Sequence, residues 1–265
     1  MRIERFGEGD PEVAVVGGIH GDEPCGVTAI EQLLADPPSF ERPVALVLAN
    51  ERAIDRGVRY VDADLNRSFP GDRDAAAHEA RLAARLREAI GDSLTLSLHS
   101  TQSYGGPFGI VHGLDELARE IAPRLPLDAL VDTGEFVRGR IFEGIPRTIE
   151  VECGFQGSQT AAENGIAVTE AFLAAVGAVA PDAVDGVQET DSLSVFRLDR
   201  RVPKREADSY AVHVPNFEAV EAGEAFASSD GDPLRAEEPF YPVLLSAEGY
   251  DEQFGYAARY VETLG

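Results

Sequence analysis

Val13-Ala14-Val15-Val16-Gly17-Gly18-Ile19-His20-Gly21-Asp22-Glu23 is the stretch whose reading decides the fold. The four apolar residues read as a buried strand, the glycines as a tight turn, and the segment from Pro24 to Leu34 as a helix. A histidine and a glutamate three apart on such a turn can bring an imidazole nitrogen and a carboxylate oxygen to one small cation. Zinc accepts both donors, and a catalytic zinc takes three protein ligands with a fourth position open. His99 is the third candidate, because it too closes an apolar run, Leu94-Thr95-Leu96-Ser97-Leu98. An open α/β sheet builds its site at the carboxyl ends of its strands, where both ligand sets fall.

Working outward, strands are predicted at Glu12–Val16, Val44–Ala49, Ser93–Leu98, Phe108–His112 and Thr148–Glu152. Helices are predicted at Pro24–Leu34, Ala75–Ile90, Leu114–Ile121 and Ala161–Val179. The alternation argues for a sheet covered by helices. After Ala180-Pro181-Asp182 the texture changes to short β-like runs, Leu193–Leu198, Tyr210–Val214 and Pro242–Leu245, broken by glycine and proline. The expected organisation is therefore a catalytic α/β domain over residues 1–185 and a small β-rich C-terminal domain over 186–265.

With 265 residues and 44% hydrophobic content, the chain can bury a large core. It has no apolar stretch of membrane-spanning length, and Met1-Arg2-Ile3-Glu4-Arg5-Phe6 lacks the apolar region of a signal peptide. Two cysteines, Cys25 and Cys153, offer no disulfide framework, so a cytoplasmic protein is expected, with no membrane partner. A net charge of −24 argues against nucleic acid as a partner. The basic residues are one lysine, Lys204, and 22 arginines. A carboxylate-rich surface almost without lysine fits a high-salt cytosol, where the Debye length falls to about 3 Å near 1 M and self-repulsion is screened; an acidic mesophilic protein from a GC-rich genome is the alternative.

Of the five histidines, His78 sits in a helical segment among alanine and arginine, and His112 and His213 read as structural. In Arg59-Tyr60-Val61-Asp62-Ala63-Asp64-Leu65-Asn66-Arg67 the arginines and asparagine can grip an anion, although a turn with internal pairing explains the same residues. In Thr148-Ile149-Glu150-Val151-Glu152-Cys153-Gly154, strand alternation points Glu150 and Glu152 the same way. Buried carboxylates in an apolar strand need partners or a function. A glutamate beside a zinc-bound water would serve as general base and then as acid.

His20-x-x-Glu23, Asp64-Leu65-Asn66-Arg67, Leu98-His99-Ser100-Thr101 and Glu152-Cys153-Gly154 stand in the order seen in the succinylglutamate desuccinylase/aspartoacylase family, which the chain resembles. His213-Val214-Pro215-Asn216, Tyr241-Pro242-Val243 and Tyr250 extend the resemblance into the tail. It implies a zinc-carboxypeptidase-like mixed sheet flanked by helices, with a small β-rich C-terminal domain. The implied reaction is zinc-dependent hydrolysis of the amide bond of an N-acyl amino acid of acetyl-aspartate or succinyl-glutamate type. One zinc per chain would sit on His20, Glu23 and His99. Glu152 would be the base and Arg59 would polarise the scissile carbonyl. Asn66 and Arg67 would hold the substrate carboxylate, and Tyr250 would close over it. The partner is then a small molecule, and a homo-oligomer is compatible with the sequence. Ser97 departs from the pattern, standing where relatives commonly carry aspartate, and Ala247 replaces the glutamate of aspartoacylase. A one-residue gap would put Glu150 in the catalytic slot; Cys153-Gly154 favours Glu152. The arginine that reads a second acidic group falls at Arg138, Arg140 or Arg147. The rival readings are a metallocarboxypeptidase acting on short peptides and a catalytically silent metal-binding relative.

Overall fold

The computed structural model describes residues 1–180 and 192–265. In chain order β1 (Arg2–Phe6), β2 (Val13–Gly17), α1 (Pro24–Ala35), β3 (Val44–Leu48), α2 (Glu51–Arg56) and α3 (His78–Ile90) come first. They are followed by β4 (Leu94–Thr101), β5 (Phe108–Val111), α4 (Glu116–Ile121), β6 (Ala129–Asp132), β7 (Thr148–Phe155) and α5 (Gln159–Ala175). The tail supplies β8 (Leu193–Pro203), β9 (Tyr210–Val212), β10 (Ala225–Ser229), β11 (Asp232–Arg235), β12 (Tyr241–Val243) and β13 (Gln253–Leu264).

Among the described residues ten strands form one mixed sheet in the order β1-β3-β2-β4-β7-β5-β6-β8-β13-β12, and β11-β10-β9 form a second, smaller sheet. The strands β3, β2, β4 and β7 are mutually parallel, and β5 runs antiparallel to β7. β2 and β3 are buried along their whole length, as continuous apolar strands covered on both faces should be. One face packs Ile30 of α1 and Phe172 of α5 against Val13, Leu46 and Leu96. The opposite face packs Leu82, Leu86 and Ile90 of α3 against Ala14, Val16 and Val47. The expected mixed α/β sheet with flanking helices and a β-rich C-terminal region is present. The expected boundary at 185/186 lies outside the described residues. Among the described residues no helix is long and apolar enough to cross a membrane.

Capping accounts for most differences from the predicted limits. α3 starts at His78 rather than Ala75, where the His78 N–H donates to Asp62 Oδ2 at 2.8 Å. α4 starts at Glu116, with Asp115 accepting from the Ala118 N–H, and α5 starts at Gln159, with Ser158 accepting from the Ala161 N–H. α2, β1, β6, β10, β11 and β13 were not expected. β1 is a half-exposed edge strand with charges at Arg2, Glu4 and Arg5, and β13 acquires its length by pairing with β8 through three register shifts.

Two glycines make the turn after β2 possible. A Cβ on Gly17 would stand 2.5 Å from the Gly26 carbonyl carbon, and one on Gly21 would stand 2.1 Å from the carbonyl carbon of Ala53 in α2. The turn is thereby pressed between α1 and α2, and His20 and Glu23 are driven into the interior.

Candidate functional site

Three neighbouring strands converge on one cavity. The turn after β2 brings His20 and Glu23, β4 brings His99, and β7 brings Glu150 and Glu152. His20, Glu23 and His99 are each no more than 4% exposed. His20 Nδ1 lies 2.7 Å from Glu23 Oε1, and His99 Nδ1 lies 2.9 Å from Glu23 Oε2. The ligand atoms of the three residues all fall within 4.8 Å of one another. Two imidazole nitrogens and a carboxylate directed at one point suit a divalent zinc ion. The outer nitrogens have partners as well. His20 Nε2 is 3.0 Å from Asp64 Oδ1, and His99 Nε2 is 3.3 Å from Ser97 Oγ and 3.4 Å from Glu150 Oε1. Such contacts keep Nδ1 turned toward the centre, so the donor set fits the ion.

Charge is balanced inside the protein. Burial by itself would lower the pKa of both histidines, yet the carboxylates of Glu23, with Asp64 for His20 and Glu150 for His99, raise them. Burial would raise Glu23, but the two histidines hold it well below the usual carboxylate range.

The loop of residues 59–67 forms one wall. Arg59 donates to Glu23 Oε1 at 3.0 Å and to Asp64, so it reaches the edge of the ligand cluster. Asn66 is buried; its Nδ2 donates to Glu150 Oε1 at 2.6 Å and its Oδ1 accepts from the Ile141 N–H. Arg67 is exposed, and its Nη1 donates to the Asn66 carbonyl. The loop is fixed from below by Glu79 of α3, which accepts from the Val61, Asp62 and Ala63 N–H groups and from Asn50 Nδ2.

Glu150 and Glu152 occupy the same face of β7 and line the same cavity, as alternation requires. Their surroundings differ. Burial would raise the Glu150 carboxyl, but His99, Arg140 and Asn66 hold it down at about 2. Glu152 is pushed up to about 7, first by burial and further by the neighbouring Glu23 and Glu150 charges. Its Oε2 is buried with no hydrogen-bond partner among the described residues.

The tail closes the other side. Asn216 donates to the Ser103 and Leu245 carbonyls and accepts from the Leu245 N–H, tying the tail to the loop after β4. Tyr250 lines the cavity, its hydroxyl pKa raised by burial. The Lys204 ammonium donates to the Ala247 and Tyr250 carbonyls and so pins the segment that carries this tyrosine. Together these residues leave a cavity of about 80 Å³ that opens to solvent.

All eight residues singled out in the sequence, His20, Glu23, Arg59, Asn66, Arg67, His99, Glu152 and Tyr250, thus line one cavity. Of the three arginines considered for a second anion, Arg140 enters it, whereas Arg138 and Arg147 are exposed. Asp64 lies in the quoted Asp64-Leu65-Asn66-Arg67 stretch but was given no role of its own, and nothing in the sequence singles out Glu79.

Residues 9–106 match the catalytic-domain model of succinylglutamate desuccinylase and aspartoacylase. Over this stretch the chain is similar to that family's catalytic domain. The N-acyl-aromatic-L-amino acid amidohydrolase of Xenopus tropicalis is 33% identical over 42% of this chain and 40% of its own length. Its Xenopus laevis counterpart is 26% identical over 91% of each chain. This chain therefore spans well under half of the first relative and most of the second. Murine aminoacylase 3 has the same fold, with a TM-score of 0.72, 22% identity and coverage of 98% of both chains.

Proposed function

We propose that the protein is a zinc-dependent amidohydrolase that converts an N-acyl amino acid into a carboxylate and a free amino acid. The observation that carries this reading is the unpartnered Glu152 Oε2 in the same cavity as the convergent His20, Glu23 and His99. One zinc held by those three residues would polarise a water molecule, lowering its pKa toward about 7.

The remaining steps belong to the chain. Glu152 accepts the proton of the attacking water and returns it to the leaving nitrogen, its buried and unpartnered oxygen being free to do so. Arg59, at the rim of the ligand cluster, holds the amide oxygen as negative charge develops on it. Arg67 receives the substrate's free carboxylate, with Asn66 fixing the wall beside it. Tyr250 closes the cavity over the bound molecule, and Arg140 is engaged by Glu150 at 3.5 Å. The net charge of −24 fits work in a concentrated-salt cytosol.

The test is amine release in molar potassium chloride, with and without added zinc. The panel holds acetyl-aspartate, succinyl-glutamate, acetylated neutral and basic amino acids and a short peptide. Zinc-dependent release from one acyl amino acid is expected. Glu152→Gln should retain stoichiometric zinc and lose roughly 10²–10⁴-fold in kcat. Turnover of the peptide alone would overturn the reading, and loss of zinc in Glu152→Gln would remove this residue from the role of base.

A further inference from the structure

β4 and β7 lie side by side in parallel register, with Ser97 opposite Glu150 and His99 opposite Glu152. Paired positions on parallel strands face the same way, so all four side chains meet on the site face. His99 has Nδ1 directed at Glu23, which leaves Nε2–H needing an acceptor in a buried setting. Two oxygens are in reach: the Ser97 hydroxyl at 3.3 Å and the Glu150 carboxylate at 3.4 Å. The hydroxyl is neutral and rotates freely about its bond. The carboxylate is charged and is held in place by Asn66 Nδ2 at 2.6 Å and Arg140 Nη1 at 3.5 Å, all three side chains being at most 6% exposed.

We infer that Glu150, anchored by Asn66 and Arg140 across the floor of the cavity, is the positioning residue that orients His99 toward the metal, while Ser97 is a bystander. Asp64 holds the same relation to His20 at 3.0 Å, so each ligand histidine is backed by one carboxylate. The two glutamates of β7 thereby divide their work. Glu150 is saturated by three partners and takes no part in proton transfer, whereas Glu152 retains a free oxygen. The pairing also occupies Arg140, which leaves the exposed Arg67 as the guanidinium open to a substrate anion.

This inference rests on the zinc reading above, and the experiment separates the two. Zinc affinity of the full chain is measured by competition with a chromogenic chelator, with thermal melting as the control for folding. Removing an outer-sphere carboxylate weakens metal binding by roughly 10–100-fold, and that loss is expected for Glu150→Gln. Adding Ser97→Asp to Glu150→Gln should recover most of it, because position 97 reaches the same nitrogen. Ser97→Ala, which removes only a small hydroxyl, should stay within about threefold of the wild type. A folded Glu150→Gln chain that binds zinc as tightly as the wild type would overturn the inference. So would a tenfold loss in Ser97→Ala, which can be read even if Glu150→Gln does not fold. A wild-type chain that binds no zinc would instead remove the metal reading beneath it.

Discussion

Glu79→Gln tests the idea that a carboxylate outside the cavity holds the substrate-facing loop in shape. Glu79 is fully buried in the first turn of α3. Its Oε1 accepts from the Val61 N–H at 2.7 Å and Asn50 Nδ2 at 3.1 Å, and its Oε2 accepts from the Asp62 and Ala63 N–H groups at 3.1 Å each. Glutamine keeps the shape but turns one acceptor into an NH2 group, which must then face either two backbone donors or one backbone donor and Asn50. A hydrogen bond to a charged group contributes about 1.5–3 kcal/mol, and a buried donor left unpaired costs about 1–3 kcal/mol. With partial rearrangement, a loss of about 3 kcal/mol is expected, or roughly 6–12 °C in Tm for a chain of this size. Burial alone would raise the Glu79 pKa, but the three backbone donors and Asn50 lower it. Because the folded-state pKa lies below the unfolded value, this stabilisation is complete above the ordinary glutamate range and fades as pH falls through the folded-state value. The difference in Tm between wild type and Glu79→Gln should therefore be largest near pH 7 and shrink on acidification. Thermal melting across pH measures it, and KM should rise with it because Arg59, Asn66 and Arg67 ride on the loop. A Tm within about 2 °C of wild type at pH 7, or a gap that widens toward acid, would refute the reasoning.

Two further outcomes follow from the packing around the cavity. Lys204→Met removes the ammonium that pins the segment carrying Tyr250 while keeping much of the apolar stem, so KM should rise several-fold with little change in kcat, as steady-state kinetics would show. Gly21→Ala places a methyl group 2.1 Å from the Ala53 carbonyl carbon, which should cost at least about 1–3 kcal/mol and weaken zinc binding by displacing His20; denaturant unfolding and chelator competition report the two effects.

Much of this architecture was legible because its signals are local. Apolar runs such as Val13–Val16 and Val44–Ala49 have one comfortable environment, a strand covered on both faces, and the structure buries them there. β1 and β13 were missed for the opposite reason. Arg2-Ile3-Glu4-Arg5-Phe6 is half polar, and β13 becomes a long strand only by pairing with β8. The limits of α3 were displaced because the donor at its start is satisfied by Asp62, 16 residues earlier, which no local capping rule anticipates.

The sequence by itself determined the chemical inventory. It contains a histidine and a glutamate on a glycine-bound turn, a second histidine ending an apolar run, a loop with an arginine at each end and two glutamates on one strand face. These are matters of residue type and short-range periodicity, readable wherever the chain goes. Tertiary structure alone decided what surrounds each member of a pair. Glu150 and Glu152 are indistinguishable by alternation, yet the parallel register of β4 and β7 brings Glu150 to Ser97, His99, Asn66 and Arg140 and leaves Glu152 with a bare oxygen. Likewise Arg138, Arg140 and Arg147 differ little as sequence, and only packing buries the second of them beside a carboxylate. The physical reason is that a partner fixes a charged group's state, and these partners lie up to 84 residues away along the chain.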